Sequence, residues 1–413
     1  MPRLHRAARG AAVAILAALG LAGCAAGSAT APTPAATPGL PFDAAAVEAA
    51  FLDAAEATST IGAFLYLRTP DGAEFEAAYG SSEHGGGAAP TADMSFRVGS
   101  NTKTWTGTVI LQLVDEGRIS LDDTIDAYFP DAPGAERITI AMLLDMRSGL
   151  YNYTDDPEWA ATASADFARV WSSEELIAIG LSHDPYFEPG TSWHYSNTNT
   201  VMLGAITERL EGEPLHEIVE ERLFAPLGLE RTKLPAPDDA TLTGAPEAHG
   251  YAFLDPPHGL TPTGGLTDED LAAWRAGELA PDDMTNANPS WAWAAGAGVS
   301  TARELADWVE ALTDGTFLSA ELQERRMTEL GPVVAPDGSA AEGSRYGLGI
   351  ADFGGWIGHN GSLPGYQSHM VRHPDTGVTL IVWANLAPAV DGSSPADAIA
   401  AAVKDAIAAT YAD

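Results

Sequence analysis

Apolar and polar positions follow two different periods along this chain. Gly62-Ala-Phe-Leu-Tyr-Leu-Arg68 and residues 74–79 are short strand-like runs around Pro70-Asp71-Gly72, which predicts a hairpin. Residues 43–57 precede it, Ala-rich with acids on one side, and read as a helix. From about Ser100 to Ala320 apolar residues return mostly at helical spacing, over 102–116, 173–180, 199–211, 213–224 and 301–312. Gly117, Gly180 and Gly228 read as helix ends. Residues 235–289 are rich in Pro, Gly and Asp and read as a long surface excursion near a site. Strand-like runs then come back at 346–352, 356–359, 366–373 and 377–385, and an Ala-rich helix closes the chain at 395–411. The expected fold is therefore α/β in content (α+β). An antiparallel sheet is built from both termini and flanked by helices, with a mostly helical insertion over about 90–320.

Composition narrows the partners. The 413 residues carry 21 Lys+Arg against 57 Asp+Glu, a formal net charge of -36. Such a surface lacks the clustered cations that bind nucleic acid or anionic lipid. The single cysteine excludes an internal disulfide framework and a Cys-based zinc cluster. His183, His194, His249 and His258 show no tight ligand spacing, so no metal and no cofactor is expected. The first segment reads as an address. Arg3, Arg6 and Arg9 precede an apolar run over 11–22, too short to span a bilayer comfortably. Leu21-Ala22-Gly23-Cys24 resembles a bacterial lipobox, whose Cys is diacylated after cleavage. Residues 1–23 are then a lipoprotein signal peptide, 24–42 a Pro/Ala/Thr-rich linker and 43–413 the working domain. This predicts an extracytoplasmic monomer, held on the cytoplasmic membrane by lipid on Cys24, or secreted if the leader is an ordinary signal.

Candidate chemistry begins with the scarcest charge. Only Lys103, Lys233 and Lys404 are lysines, and Lys103 completes Ser100-Asn101-Thr102-Lys103. No other serine has Lys three residues on. At helical spacing the two side chains share a face, and the helix start favours developing negative charge on Ser100. A nearby amine can then help deprotonate the hydroxyl. The same residues would also suit an N-cap serine with an exposed lysine. Tyr195-Ser196-Asn197 holds the only Tyr-x-Asn of the chain, a phenol able to shuttle protons and an amide able to meet a substrate carbonyl or order the lysine. His359-Asn360-Gly361-Ser362 ends a short expected strand. There Gly361 would permit close approach, and the backbone N–H groups of Ser362 and Ser100 could form an oxyanion hole.

Taken in this order, the three elements resemble the serine β-lactamase and D-alanyl-D-alanine carboxypeptidase superfamily, nearest the class C β-lactamase and soluble DD-peptidase branch. Phe96-Arg97-Val98-Gly99-Ser100, residues 140–150, residues 295–305 and residues 359–366 carry the likeness, which spans roughly residues 51–409. The resemblance implies a helical domain beside an antiparallel sheet, with the site between them. It implies Ser100 as nucleophile, activated by Lys103 and Tyr195 with the proton acceptor left open, and an acyl-enzyme cleared by water. Asn197 would bind the substrate's amide carbonyl, and His359 stands where many members have Lys. Asn360, Gly361 and Ser362 would line the substrate. The implied substrate is a small peptide, ester or β-lactam, and the implied activity a penicillin-binding D-alanyl-D-alanine carboxypeptidase. An esterase, a D-amino-acid amidase or a non-catalytic binding lipoprotein of the same fold are the alternatives. Two departures bear on the substrate. Asn360 replaces the usual Thr or Ser, and Tyr346-Gly-Leu-Gly349 is not followed by the Arg that grips a terminal carboxylate, leaving Arg345 as the one nearby substitute.

Overall fold

Eight strands form one antiparallel sheet in the computed structural model, which describes residues 41–254, 265–334 and 339–410. They are β1 (Gly62–Arg68), β2 (Glu74–Gly80), β3 (Gly331–Val334), β4 (Ala340–Tyr346), β5 (Ala351–Phe353), β6 (Ile357–Leu363), β7 (Tyr366–Arg372) and β8 (Thr379–Ala384). Their order across the sheet is β2-β1-β8-β7-β6-β5-β4-β3. The first hairpin thus docks on the last strand, Ala63 opposite Ala384 and Arg68 opposite Thr379. The sheet is built from both ends of the chain, as the strand pattern predicts. The leader, the linker and Cys24 lie outside the described residues.

Five helices matter to the site: α1 (Ala44–Ala57), α2 (Thr102–Asp115), α3 (Asn197–Glu211), α4 (Ala302–Asp314) and α5 (Pro395–Thr410). Alternation along β1 divides the core. Phe64 and Tyr66 join a cluster with Trp105 of α2 and Trp308 of α4, while Ala63, Leu65 and Leu67 join Phe51 of α1 and Ile399 of α5 on the other face. Each fully buried side chain of this size contributes about 1.5–3 kcal/mol. The strand is covered on both faces, which explains a continuous apolar run where a half-exposed strand would alternate. Helix α2 is buried nearly all round, from Thr102 to Leu111, and so stands inside the molecule with its first turn under the cleft.

Some local expectations change. Gly180 does not end a helix; it lies inside Ser173–Leu181, where a Cβ would come within 2.5 Å of the Thr198 hydroxyl. The glycine is there for helix-to-helix approach. Residues 213–224 are not one α-helix, because a π-helical turn, Glu220–Phe224, follows Leu215–Val219. The expected strand at 346–352 is split between β4 and β5, with Gly349 at φ +73 in the turn. Strand β3, with Pro332 in it, carried no strand signal; it is the sheet edge, where a missing N–H is tolerated.

Candidate active site

Ser100 sits in a one-turn 3-10 helix, Gly99–Asn101, that leads directly into α2. Gly99 has φ +57, and a Cβ there would meet the Ser362 nitrogen at 2.6 Å. From the other side, a Cβ on Gly361 would come 2.0 Å from the Val98 carbonyl oxygen and 2.9 Å from the Ser100 nitrogen. Two glycines therefore let β6 touch the nucleophile turn, which sets the backbone nitrogens of Ser100 and Ser362 around one gap. The contact is locked from below. Asn101 Nδ2 donates to the Val98 carbonyl at 2.9 Å and to Ser368 Oγ at 2.7 Å, and Ser368 Oγ donates to the same carbonyl at 2.8 Å.

Lys103 is buried and has three neighbours. Its Nζ lies 2.7 Å from Asn197 Oδ1, 2.7 Å from the Ala295 carbonyl and 3.1 Å from Ser100 Oγ. No carboxylate is among them. Burial alone holds the ammonium well below the usual lysine range, which favours the neutral amine. A neutral amine has two N–H groups and one lone pair. Asn197 Oδ1 and the Ala295 carbonyl can only accept, so they take both hydrogens and the lone pair is left facing the Ser100 hydroxyl. Asn197 thus orders the lysine, and it spends one N–H on Thr154 Oγ1 at 3.3 Å. The Ala295 carbonyl comes from a short helix, Trp293–Gly296, whose first residue has φ +33. That conformation is strained by about 1–3 kcal/mol.

Tyr195 packs with its ring 4.7 Å from Lys103 Nζ. Burial raises its phenol above the ordinary value, and a hydrogen bond with Ser100 offsets this in part. The phenol therefore rests protonated, a donor. His359 is also brought here, with its ring 6.3 Å from that of Tyr195. Its Nδ1 is 2.5 Å from the Asn360 carbonyl and its Nε2 is 3.0 Å from the Tyr346 hydroxyl. The carbonyl can only accept, so Nδ1 carries the hydrogen. Nε2 then accepts from Tyr346. Burial first, and the nearby Lys103 second, push the imidazole down to about 3. His359 is therefore a neutral group with its one proton committed to the Asn360 carbonyl, and it does not reproduce the cation that Lys would supply at this position. Nitrogen-15 shifts should find His359 neutral, with the proton on Nδ1, at about pH 5, where an ordinary histidine is mostly charged. An Nε2–H signal, or protonation near the usual value, would refute this assignment.

The remaining expected residues divide. Gly361 and Ser362 lie at the nucleophile turn, and Ser362 lines the cleft. Asn360 does not line it: its Nδ2 donates to Asp397 Oδ2 of α5 at 2.9 Å. Its direct contact with substrate is not supported, because its amide is committed to that carboxylate and it is not among the residues that line the cleft. Burial raises the Asp397 carboxyl, but bonds from His369 and Asn360 outweigh it and keep the group ionised. Arg345 is equally committed, with Nε and Nη2 at 2.8 and 2.5 Å from Asp352 Oδ2. It does not substitute for a carboxylate-gripping Arg.

The cleft beside Ser100 has a volume of about 310 Å³. Trp159, Trp291, Phe253 and Leu363 give it apolar walls, and Asn197, Gln367 and Ser394 supply polar atoms. None of the described residues lining it carries a charge. The excursion expected near a site reaches the cleft through Ala252, Phe253 and Leu254. This arrangement can move a serine proton to a neutral amine and hold an oxyanion. The described residues hold no cluster of three or more His, Cys, Asp or Glu able to bind a metal.

The sequence model of the Beta-lactamase family matches residues 45–404. The chain belongs to the beta-lactamase family. Among relatives of this beta-lactamase-family chain, "Penicillin-binding protein 4*" of Bacillus subtilis (strain 168) is 26% identical over 304 residues, 70% of this chain and 60% of that protein. "D-aminopeptidase" of Brucella anthropi is 28% identical over 304 residues, 71% of this chain and 50% of that protein. The chain thus spans under two thirds of either relative. A solved structure of a D-stereospecific amidohydrolase from Streptomyces sp. is similar with a TM-score of 0.72 and 30% identity, covering 87% of this chain and 98% of the other. D-amino acid amidase from Ochrobactrum anthropi SV3, complexed with L-phenylalanine amide, gives a TM-score of 0.73 and 26% identity, covering 89% and 99%. The helical layer beside an antiparallel sheet is common to the family. Within it, sequence reasoning missed Tyr346 and the Ala295 carbonyl. Tyr346 was legible in Tyr-Gly-Leu-Gly but served only as a landmark for a missing Arg. A backbone carbonyl has no residue-type signature at all.

Proposed function

We propose that this chain is a serine hydrolase that forms an acyl-enzyme on Ser100 and acts on D-amino-acid amides, esters or short peptides. The observation that carries the reading is Lys103, buried with no carboxylate partner among the described residues and with Nζ 3.1 Å from Ser100 Oγ. Lys103 Nζ accepts the Ser100 proton as Oγ attacks the substrate carbonyl. The N–H groups of Ser100 and Ser362 hold the oxyanion. As the tetrahedral intermediate collapses, Tyr195 gives its phenol proton to the leaving nitrogen or oxygen, and Lys103 returns its own proton to Tyr195. Water then attacks the acyl-enzyme, and the same groups run in reverse. The D-configuration is supported by the names of the D-aminopeptidase and the D-amino acid amidase.

Between a D-alanyl-D-alanine carboxypeptidase and an amidase or esterase, the charge of the cleft favours the second. A carboxypeptidase must hold a terminal carboxylate. None of the described residues lining this cleft is a cation, and Asp397 presents a carboxylate behind Asn360 instead. We therefore propose an uncharged leaving side, with penicillin-type ligands as acylating inhibitors or slow substrates. Intact-mass analysis after a fluorophosphonate or labelled β-lactam should find one adduct, on Ser100. No adduct with either probe would sink the serine mechanism. Separately, kcat/KM for a D-alanyl amide should exceed that for D-alanyl-D-alanine by about tenfold or more, the scale of one unpaired carboxylate. The opposite order would restore the carboxypeptidase reading.

A further inference from the structure

Gln367 sits on β7 directly opposite Ser362 of β6, and it is buried at the cleft wall. Its carboxamide orientation is fixed by a group that cannot reverse. The backbone N–H of Ala396 donates to one end at 3.3 Å, so that end is Oε1. The other end, Nε2, donates to Ser394 Oγ at 3.1 Å and to Ser362 Oγ at 3.4 Å. Each serine oxygen therefore receives a hydrogen from Gln367. Neither hydroxyl proton has an acceptor among the described residues. Both hydroxyls line the cleft. Their protons are then the atoms offered to whatever occupies it.

We infer that Gln367 biases the hydrogen-bond polarity of this wall and makes Ser362 and Ser394 a donor subsite for an uncharged carbonyl of the substrate. Two O–H donors suit an amide or ester oxygen better than an ammonium, which has no lone pair to receive them and finds one of each serine's two lone pairs already taken. A wall built from two free serines would have no such preference, because a lone hydroxyl rotates to suit either kind of ligand. The inference rests on the serine-hydrolase reading and adds a specificity-determining residue to it. Gln367 acts here through the two serines, as a positioning residue, and its own side chain also reaches the cleft wall.

The decisive substitution is Gln367→Glu. A carboxylate accepts where Nε2 donated, so the two hydroxyls turn their protons toward it and show lone pairs to the cleft. The wall should switch from donor to acceptor. The assay uses two matched pairs at about pH 6.5, between the ordinary pKa values of a carboxylate and of an α-amino group, so that the one is ionised and the other protonated. One pair varies the leaving side, D-alanyl-glycinamide against D-alanyl-aminoethylamine. The other varies the acyl side, N-acetyl-D-alanine p-nitroanilide against D-alanine p-nitroanilide. In the pair that reaches the wall, wild type should prefer the carbonyl member, and Gln367→Glu should move the kcat/KM ratio by about tenfold toward the ammonium member. Gln367→Ala should bring that ratio toward unity without inverting it, and it stands in should the Glu variant fail to fold. Ratios within twofold of wild type in both pairs, for whichever of the two variants unfolds as cooperatively as wild type on heating, would overturn the inference. Failure of Ser100 to take up the fluorophosphonate in wild type would instead count against the hydrolase reading beneath it.

Discussion

Lys103→Arg should be as inactive as Lys103→Ala, with kcat lower by about 10³-fold, within the usual range for loss of a general base. The reason lies in the lone pair. Arginine keeps the positive charge and several N–H donors, and could still bond Asn197 Oδ1 and the Ala295 carbonyl. It cannot take a proton, because guanidinium stays charged. If Lys103 served as a fixed cation, Arg would retain much of the rate; a variant keeping more than about a tenth of wild-type kcat would sink the assignment of Lys103 as base. The pH profile checks the same point. Burial lowers the Lys103 pKa, so the amine is neutral over a wider range of pH and gains its proton only as pH falls. Activity should therefore fall on the acid side, with a midpoint well below 10.5. That limb should be absent from the residual activity of Lys103→Ala.

Gly361→Ala should lower kcat by about 10²–10³-fold, the scale of losing one oxyanion donor. The new methyl would overlap the Val98 carbonyl at 2.0 Å. Neither partner is the end of a flexible side chain, so β6 must move off the nucleophile turn. The Ser362 nitrogen moves with it, away from the position it shares with the Ser100 nitrogen. Val98 also receives bonds from Asn101 and Ser368, so the variant should melt below wild type. Burst kinetics with a chromogenic ester would separate the causes, since acylation should slow far more than substrate affinity. A kcat within tenfold of wild type would mean that the Ser362 N–H is not an oxyanion donor.

How far could these residues be read without coordinates? Ser100, Lys103, Tyr195 and Asn197 were legible because their side chains occur in spacings found nowhere else in the chain. The hairpin was legible from its Pro-Asp-Gly turn between apolar runs, α4 from a strong apolar period, and α2 and α5 from long runs with no internal proline. The limits were physical. Strand β6 runs on to Leu363 through Asn360, Gly361 and Ser362, which carry no strand propensity; contact with the nucleophile turn and with β7 holds them extended. Asn360 looked like a substrate contact because sequence order does not show its partner, Asp397, which lies 37 residues away. His359 was readable as a site residue, but not its neutrality, which depends on Tyr346 and on burial. Gln367 belonged to no motif, and its role depends on an N–H from another element.

The pairing of β1 with β8 has a consequence for how the enzyme comes into being. Ala63 must find Ala384 across nearly the whole chain, and loop closure on that scale is slow. Ser100 meets the Ser362 N–H only after β6 and β7 are in place, and the first hairpin is secured only when β8 slots in beside β7. The chemistry is therefore assembled last. A ribosome-bound or truncated chain holds Ser100 and Lys103 without an oxyanion hole, so catalytic competence arrives with completion of the sheet.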